Sequence, residues 1–433
     1  MQKNLKIGLE THIQINVPSK KLFCNCNIGS TCEICTGQPG TMPQKIKPEI
    51  TRIIGRIVHI LKLEPAKELV FDRKHYIYRD LPKSYQITQK NHPFGTRGHL
   101  ICEADKYPID VVILQQDPAK TDQFGGVDYG RCGTPLLEIV TPPVFKNSEE
   151  VGKYLKNLAV LMESENIVDI KQPGAMRTDV NISCNNHARV EVKNVTGIDD
   201  VIAVIQYEIK RQSSTTPSDI IHTRAWDSIM QQTTFSRKKE SDSQYMYMRE
   251  YDIIPVSMPK PIAGPTIFQK RAQVLESGVS KSCAWTIAKH CYLYKIFNKL
   301  RGNNFQMLSD SLLRLHAQVA YRGYARVEKK LNSSEILELV SAAASKEIGQ
   351  IAYVSRIRAY FDGRKKSETK KSLNQIIRGI SQKNLKFKSV IRAIKPGDKR
   401  INYLIGQVLK ITREYEISEI LKILLSIKLG TQE

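Results

Sequence analysis

The sequence predicts an α+β protein, with an antiparallel sheet and a few helices in its first 255 residues and helices alone thereafter. Three observations support this reading. Apolar and polar residues alternate along several early segments, helical periodicity takes over after Ile267 with proline nearly absent, and Pro255, Pro259, Pro261 and Pro265 punctuate the change. At 433 residues the chain exceeds what one hydrophobic core serves, so several domains are expected.

The first strand runs from Lys6 to Asn16. Ile7, Leu9, Thr11, Ile13 and Ile15 take one face, and Gly8, Glu10, His12, Gln14 and Asn16 the other. Arg177 to Ser183 repeats the design, with Val180 and Ile182 opposed to Arg177, Asp179, Asn181 and Ser183. After the turn residues Asn185-Asn186-His187, Val190 and Val192 oppose Arg189, Glu191 and Lys193, which predicts a hairpin with a charged face. A sheet with one wet face accounts for such a pattern by itself. Between these strands, Asn147-Ser148 offers cap residues, Glu149 and Glu150 suit a first turn, and Val151, Tyr154, Leu155, Leu158 and Leu161 follow at helical spacing. A second helix is expected over Asp199 to Gln212. Beyond the proline-rich stretch, Gln269 to Glu276, Cys283 to Leu300 and Met307 to Tyr321 read as helices, as do the last hundred residues. Between Tyr360 and Arg400 there are 13 Lys or Arg against 3 Asp or Glu, denser than an ordinary solvated face and suited to a phosphate backbone.

Charge narrows the function class. Lys and Arg number 66 against 43 Asp and Glu, a net of +23, which points to a polyanionic partner such as nucleic acid. No apolar run is long enough for a bilayer, and Met1-Gln2-Lys3-Asn4 leads into a strand rather than a signal peptide, so a cytoplasmic protein without membrane contact is expected. Of nine cysteines, four fall between Cys24 and Cys35. Cys24 and Cys26 form one short-spaced pair and Cys32 and Cys35 another, closed by Gly37, Pro39 and Gly40. Two such pairs can supply four thiolates to a tetrahedral Zn²⁺, leaving no open position and hence a structural role; redox-active or incidental cysteines are the alternative. There is no G-x-x-x-x-G-K-[ST] loop, no G-x-G-x-x-G after a strand and no H-E-x-x-H, and Ser213-Ser214 lacks the glycine-rich setting of an amidase nucleophile.

Several stretches become recognisable together. They are Ile7 to His12; the cysteine pairs running into Gly37-Gln38-Pro39-Gly40-Thr41-Met42-Pro43; Phe71 to Gln89; Val127 to Val140; Met176 to Asn181; and Val190 to Asn194, with Tyr207 to Gln212, Thr223 to Asp227 and Tyr403 to Gln407 extending the match. In that order they resemble the B-subunit family of the aspartyl/glutamyl-tRNA amidotransferases. The resemblance implies a cradle-shaped, kinase-like domain (1–255) with a zinc loop (22–43), a helical domain (256–330) and a helical tail that contacts tRNA (331–433). It also implies the activity: ATP- and Mg²⁺-dependent phosphorylation of the side-chain carboxylate of Glu-tRNA(Gln) or Asp-tRNA(Asn), then amidation with ammonia from a partner. The implied partners are an amidase (A-type) subunit, a small (C-type) subunit and the misacylated tRNA.

Carried over residue by residue, the resemblance makes Glu10, His12, Gln116 and Glu138 Mg²⁺ ligands and lines the same pocket with Asp179, Glu191 and Lys193. Cys24, Cys26, Cys32 and Cys35 become zinc ligands. Arg177, Tyr78, Tyr85 and Gln86 become contacts to substrate or phosphate, against the alternative that Arg177 and Lys193 pair with Asp179 or Glu191. Two departures stand out. Leu114-Gln115-Gln116-Asp117 replaces the family's Leu-Glu-Glu-Asp, and Tyr245-Met246-Tyr247-Met248-Arg249-Glu250-Tyr251-Asp252 lacks an Arg of the family pattern. Losing two anionic charges weakens a divalent site, so the second expectation is a tRNA-binding relative that has lost the phosphorylation step.

Overall fold

A computed structural model describes residues 4–76, 78–121, 124–238, 246–302, 304–363, 373–393, 398–411, 415 and 417–429. Ile77 and Tyr245 of the motifs above, and part of the basic stretch from Tyr360 to Arg400, lie outside the described residues. The chain divides into two units, Met1–Phe268 and Gln269–Glu433.

The first unit is built on a nine-stranded sheet, in the order Gln232–Lys238, His222–Asp227, Val190–Thr196, Met176–Ser183, Lys6–Gln14, Pro135–Val140, Asp105–Gln116, Gly95–Cys102 and Glu64–Pro65. Neighbours are antiparallel except Val190–Thr196 and His222–Asp227, which run parallel. A parallel pair needs a long return, and the Ile198–Ser213 helix lies within it. That helix packs on the two strands before it and on the Ser148–Ser164 helix. The apolar face read from the sequence is the one that closes the core: Ile7, Leu9, Thr11, Ile13, Val180 and Ile182 are all almost fully buried. The Ser148–Ser164 helix starts where expected, because the Asn147 side chain accepts from the Glu150 N–H at 2.8 Å while the Glu150 carboxylate accepts from the Lys146 N–H.

A second, three-stranded sheet of Met246–Arg249, Asp72–His75 and Tyr85–Thr88 meets the other face of the large sheet. Gln86 donates to the Gln116 carbonyl at 2.7 Å, Thr88 donates to the Gln115 amide oxygen at 3.2 Å, and the Leu114 N–H donates to Gln89 at 2.9 Å. These bonds bring the small sheet over the end of the Asp105–Gln116 strand.

The proline-rich stretch remains strapped to this unit. Val256–Ser257 pairs with Glu68–Leu69, and the Ile262 N–H donates to the Gly55 carbonyl at 2.9 Å. Arg56, ion-paired to Glu165 at 2.7 Å, donates to the carbonyls of Ile262 and Gly264 at 3.1 and 3.0 Å. A Cβ at Gly55 would stand 2.7 Å from the Lys260 carbonyl oxygen.

The second unit is helical among its described residues. The helix expected over Cys283 to Leu300 is two, Lys281–Lys289 and Cys291–Lys299, because His290 between them is extended and its ring lies 4.1 Å from that of His316. One hydrophobic cluster runs from Val274 to Phe361 and a separate one from Leu373 to Leu424. The expected boundary at residue 330 falls inside the first of them, where Ile336, Val340, Tyr353 and Ile357 share the core of Leu308, Leu312 and Leu315.

The strap gives a prediction with a decisive sign. Helix propensity alone favours alanine over glycine by about 1 kcal/mol. Gly55→Ala should nonetheless lower stability by about 1–3 kcal/mol, the usual range for overpacking against backbone, as read by urea denaturation; a stabilised variant would show that the strap does not press on the helix.

Candidate active site and metal sites

The Lys6–Gln14 strand lies between Pro135–Val140 and Met176–Ser183, and the register decides what meets on its polar face. His12 is the Cα partner of Glu138 on one side and Arg177 on the other, and Glu10 is the partner of Asp179. Paired residues of neighbouring strands share a face, so three carboxylates and an imidazole converge. His12 Nε2 lies 3.5 Å from Glu10 Oε1 and 3.4 Å from Glu138 Oε2. Glu191 joins through the next strand, as partner of Asn181. The pairing shifts between Thr178 and Val180, and Asn194 has a φ of 55°. At this irregularity the Asn194 N–H donates to Asp179 Oδ1 at 2.7 Å, and Lys193 Nζ lies 3.7 Å from Glu191 and 4.0 Å from Asp179.

The electrostatics follow from crowding. Burial, then the charge of Glu138, pushes the Glu10 carboxyl up to about 8. Burial alone would lower His12, but the hydrogen bond and charge of Glu138, followed by Glu10 and Asp179, carry it up to about 9. Glu138 resists its own burial and stays below the usual carboxylate range because of His12, then Lys74 and the Gln115 amide. Asp179 is raised, chiefly by burial.

Lys74 is a residue the sequence reading missed. It lies on the Asp72–His75 strand opposite Gln86, largely buried, with its amine pushed down by burial and supported by the charges of Glu138 and Glu10. Two lysines from different sheets therefore border the acidic cluster. Beside Lys193 opens a cavity of about 520 Å³ whose lining includes Tyr78, Asn194, Thr196, Arg224 and Trp226.

The second cluster is the cysteine loop. One Sγ from each of Cys24, Cys26, Cys32 and Cys35 lies within 4.8 Å of the others, and Cys32 and Cys35 are 3.9 Å apart. Thiolates at 2.3 Å from a tetrahedral zinc stand about 3.8 Å from one another, so the donor set fits the ion. The surroundings fit as well. Lys21 is fully buried and its Nζ donates to Cys35 Sγ at 3.3 Å, while the Cys32 N–H donates to the same sulfur at 3.2 Å. A lysine buried this completely needs an anion beside it, which a metal-bound thiolate supplies. Hydrogen bonds within the loop hold Cys32 down at about 7, against its burial, whereas burial pushes Cys24 up to about 12.

With the geometry in place, the chain can be compared with known proteins. Residues 5–263 match the GatB/GatE catalytic domain model. The chain belongs to this family. Similar proteins include the B subunit of the aspartyl/glutamyl-tRNA(Asn/Gln) amidotransferase of Saccharolobus solfataricus, 29% identical over 94% of this chain and 96% of the relative. Those of Methanospirillum hungatei and Sulfolobus acidocaldarius are 30% and 28% identical, covering 93% and 96% of this chain and 94% and 99% of their own.

Within the family's catalytic domain, the expected site residues divide. Glu10, His12, Glu138, Asp179, Glu191 and Lys193 are brought together, as are the four cysteines. Gln116 is not with them. Its side chain leaves the strand on the face opposite to Gln115 and stands near Gly133, toward the cysteine loop. Gln115 takes its place, donating from Nε2 to Glu138 Oε2 at 2.9 Å. Arg177 pairs with Asp117 at 2.7 Å rather than with Asp179 or Glu191. Gln86 is bound to the Gln116 carbonyl. Tyr85 lies on the far side of the small sheet, its ring 4.7 Å beneath the guanidinium of Arg73, which pairs with Glu250 and Asp252. Of the four expected substrate contacts only Tyr78, half exposed, lines the cavity.

The fit of the cysteine cage predicts about one zinc per chain in purified protein. Metal analysis should find it, Cys35→Ser should lose it together with stability, and a fully folded, metal-free chain would overturn the assignment.

Proposed function

We propose that the chain is the B subunit of a tRNA-dependent amidotransferase, a ligase component that phosphorylates the side-chain carboxylate of Glu-tRNA(Gln), Asp-tRNA(Asn) or both with ATP, so that ammonia can displace the phosphate and form Gln or Asn. The observation that carries this reading is the convergence of Glu10, His12, Glu138, Asp179 and Glu191 with two lysines, in a member of a family whose relatives bear that name. A carboxylate is a poor electrophile. Converting it to an acyl phosphate supplies a leaving group, and the developing charge on the phosphoryl oxygens needs fixed cations around it.

The donor set suits Mg²⁺: hard carboxylate oxygens, and a buried His12 Nδ1 that has no hydrogen-bond partner among the described residues. Glu10, Glu138, Asp179 and His12 would hold the ion, with the proton leaving His12 as the ion binds. When bound, it supplies charge stabilisation to the transferring phosphoryl group. Lys74 and Lys193, from opposite walls, would orient and neutralise the phosphoryl oxygens, and Tyr78 would border the substrate in the cavity beside Lys193. The four cysteines would hold a structural Zn²⁺. The kinase-like cradle corresponds in this reading to the paired sheets, and the basic helices between Tyr360 and Arg400 to a tRNA backbone contact. Ammonia has to come from the amidase (A-type) partner, with the small (C-type) partner completing the complex, in the cytoplasm. No helix among the described residues is long and apolar enough to cross a membrane.

Gln115 supports a second reading, a tRNA-binding relative without phosphorylation, because an amide stands where the family has an acid. Reconstitution with a competent amidase partner tests the first: ATP- and Mg²⁺-dependent amidation of at least one charged tRNA is expected, and no conversion of either would refute it. Gln115→Glu separates the two. A variant that gains ATP turnover absent from the natural chain favours the second reading, whereas an active natural chain that needs less Mg²⁺ after the change favours the first. Lys74→Ala should lower kcat by about 10²–10³, the range for removing one electrostatic contact to a transition state. An unchanged kcat would remove Lys74 from the site.

A further inference from the structure

One guanidinium group stands beside the carboxylate cluster, and it is turned to a different anion. Arg177 is the Cα partner of His12 and shares its face, two residues from Asp179 along its own strand. Its Nη2 donates to Asp117 Oδ1 at 2.7 Å. Arg131 approaches the same carboxylate, with Nη2 3.0 Å from Oδ1 and Nε bonded to Oδ2. Gln14, two residues past His12 on that face, donates to Oδ2 at 2.8 Å. The Asp117 side chain is fully buried.

Arg131 is held on a turn bonded to the cysteine loop. The Leu22 N–H donates to the Gly133 carbonyl at 2.8 Å, Lys21 Nζ to that of Tyr129 at 3.2 Å, and Cys132 Sγ to that of Cys35 at 3.2 Å. The loop thus presents one cation to Asp117 and the Met176–Ser183 strand presents the other. Deprived of Asp117, Arg177 would find its nearest anions in Asp179, two residues along its own strand, and in Glu138, across His12. A guanidinium there would occupy the carboxylates that the cation needs.

We propose that Asp117 is a positioning residue: itself anchored by Arg131, it holds Arg177 away from the cluster and so keeps the Glu10, Glu138 and Asp179 carboxylates open to a divalent cation. The proposal rests on reading that cluster as the cation site, and the experiment separates the two. Mn²⁺ binding is followed by electron paramagnetic resonance in the zinc-loaded full chain assembled with its partners, with zinc content and thermal midpoint measured alongside. Asp117→Asn should weaken Mn²⁺ binding at least about tenfold, as one freed unit charge a few ångströms away implies. Adding Arg177→Gln to it should restore affinity to within about threefold, since the freed cation is then gone. Arg177→Gln alone, which leaves Asp117 paired with Arg131, should bind Mn²⁺ as the natural chain does.

A double variant as weak as Asp117→Asn, or no loss in Asp117→Asn, overturns the proposal while leaving the cation site intact. So does a marked gain of affinity in Arg177→Gln alone, which keeps the test decisive even where Asp117→Asn fails to fold. A natural chain that binds no Mn²⁺ overturns both readings together.

Discussion

The register of the Lys6–Gln14 strand is the constraint on which the site depends. An antiparallel strand with one buried face has no freedom to slip, because a shift of one residue would drive Glu10 and His12 into the core and bring Ile7, Leu9 and Ile13 out of it. With that register locked by apolar burial on one side, the residues opposite are fixed on the other: Glu138 beside His12, and Asp179 beside Glu10. The core does not contain the chemistry, yet it dictates which acids meet.

Such a meeting is unfavourable taken alone. Carboxylates gathered away from water repel one another and lose hydration, and the pocket answers with cations from every direction. His12 sits between Glu10 and Glu138, Lys193 is brought beside Asp179 and Glu191 next to an irregular step in the strand pairing, and Lys74 arrives on a separate sheet. The cysteine loop shows the inverse arrangement, in which a buried lysine answers thiolates. In both places charges of one sign are set against charges of the other inside the protein.

Much of this was legible before any coordinates. The alternation of Lys6 to Asn16, the Arg177 to Asn194 hairpin and the capped Ser148–Ser164 helix are all short-range patterns, and short-range patterns survive folding. The cysteine cluster was legible for the same reason, since its four thiols are neighbours in sequence. Lys74 was not, because its place depends on the small sheet pairing and then crossing the large one. The break at His290 was hidden too: the apolar period continues through it, and the extended backbone there, beside the tertiary contact with His316, divides two helices. Arg177 was legible as a charge on the right face, but its partner Asp117 is remote in sequence.

The Gln115-Gln116 pair shows how geometry alters the weight of a substitution. Read as a string, two acids are lost from the metal site. On a strand, adjacent side chains leave opposite faces, so Gln116 withdraws toward the cysteine loop and one position alone bears on the cluster. At that position the amide oxygen accepts from Thr88 and the nitrogen donates to Glu138, so Gln115 orients a carboxylate rather than adding one. Against the acid that the resemblance implies here, Gln115 bears one charge fewer on the cluster and offers instead a hydrogen bond that supports the ionised form of Glu138. An amide at this position adds less attraction for a cation than a carboxylate would, and it leaves the grouping of Glu10, Glu138 and Asp179 intact.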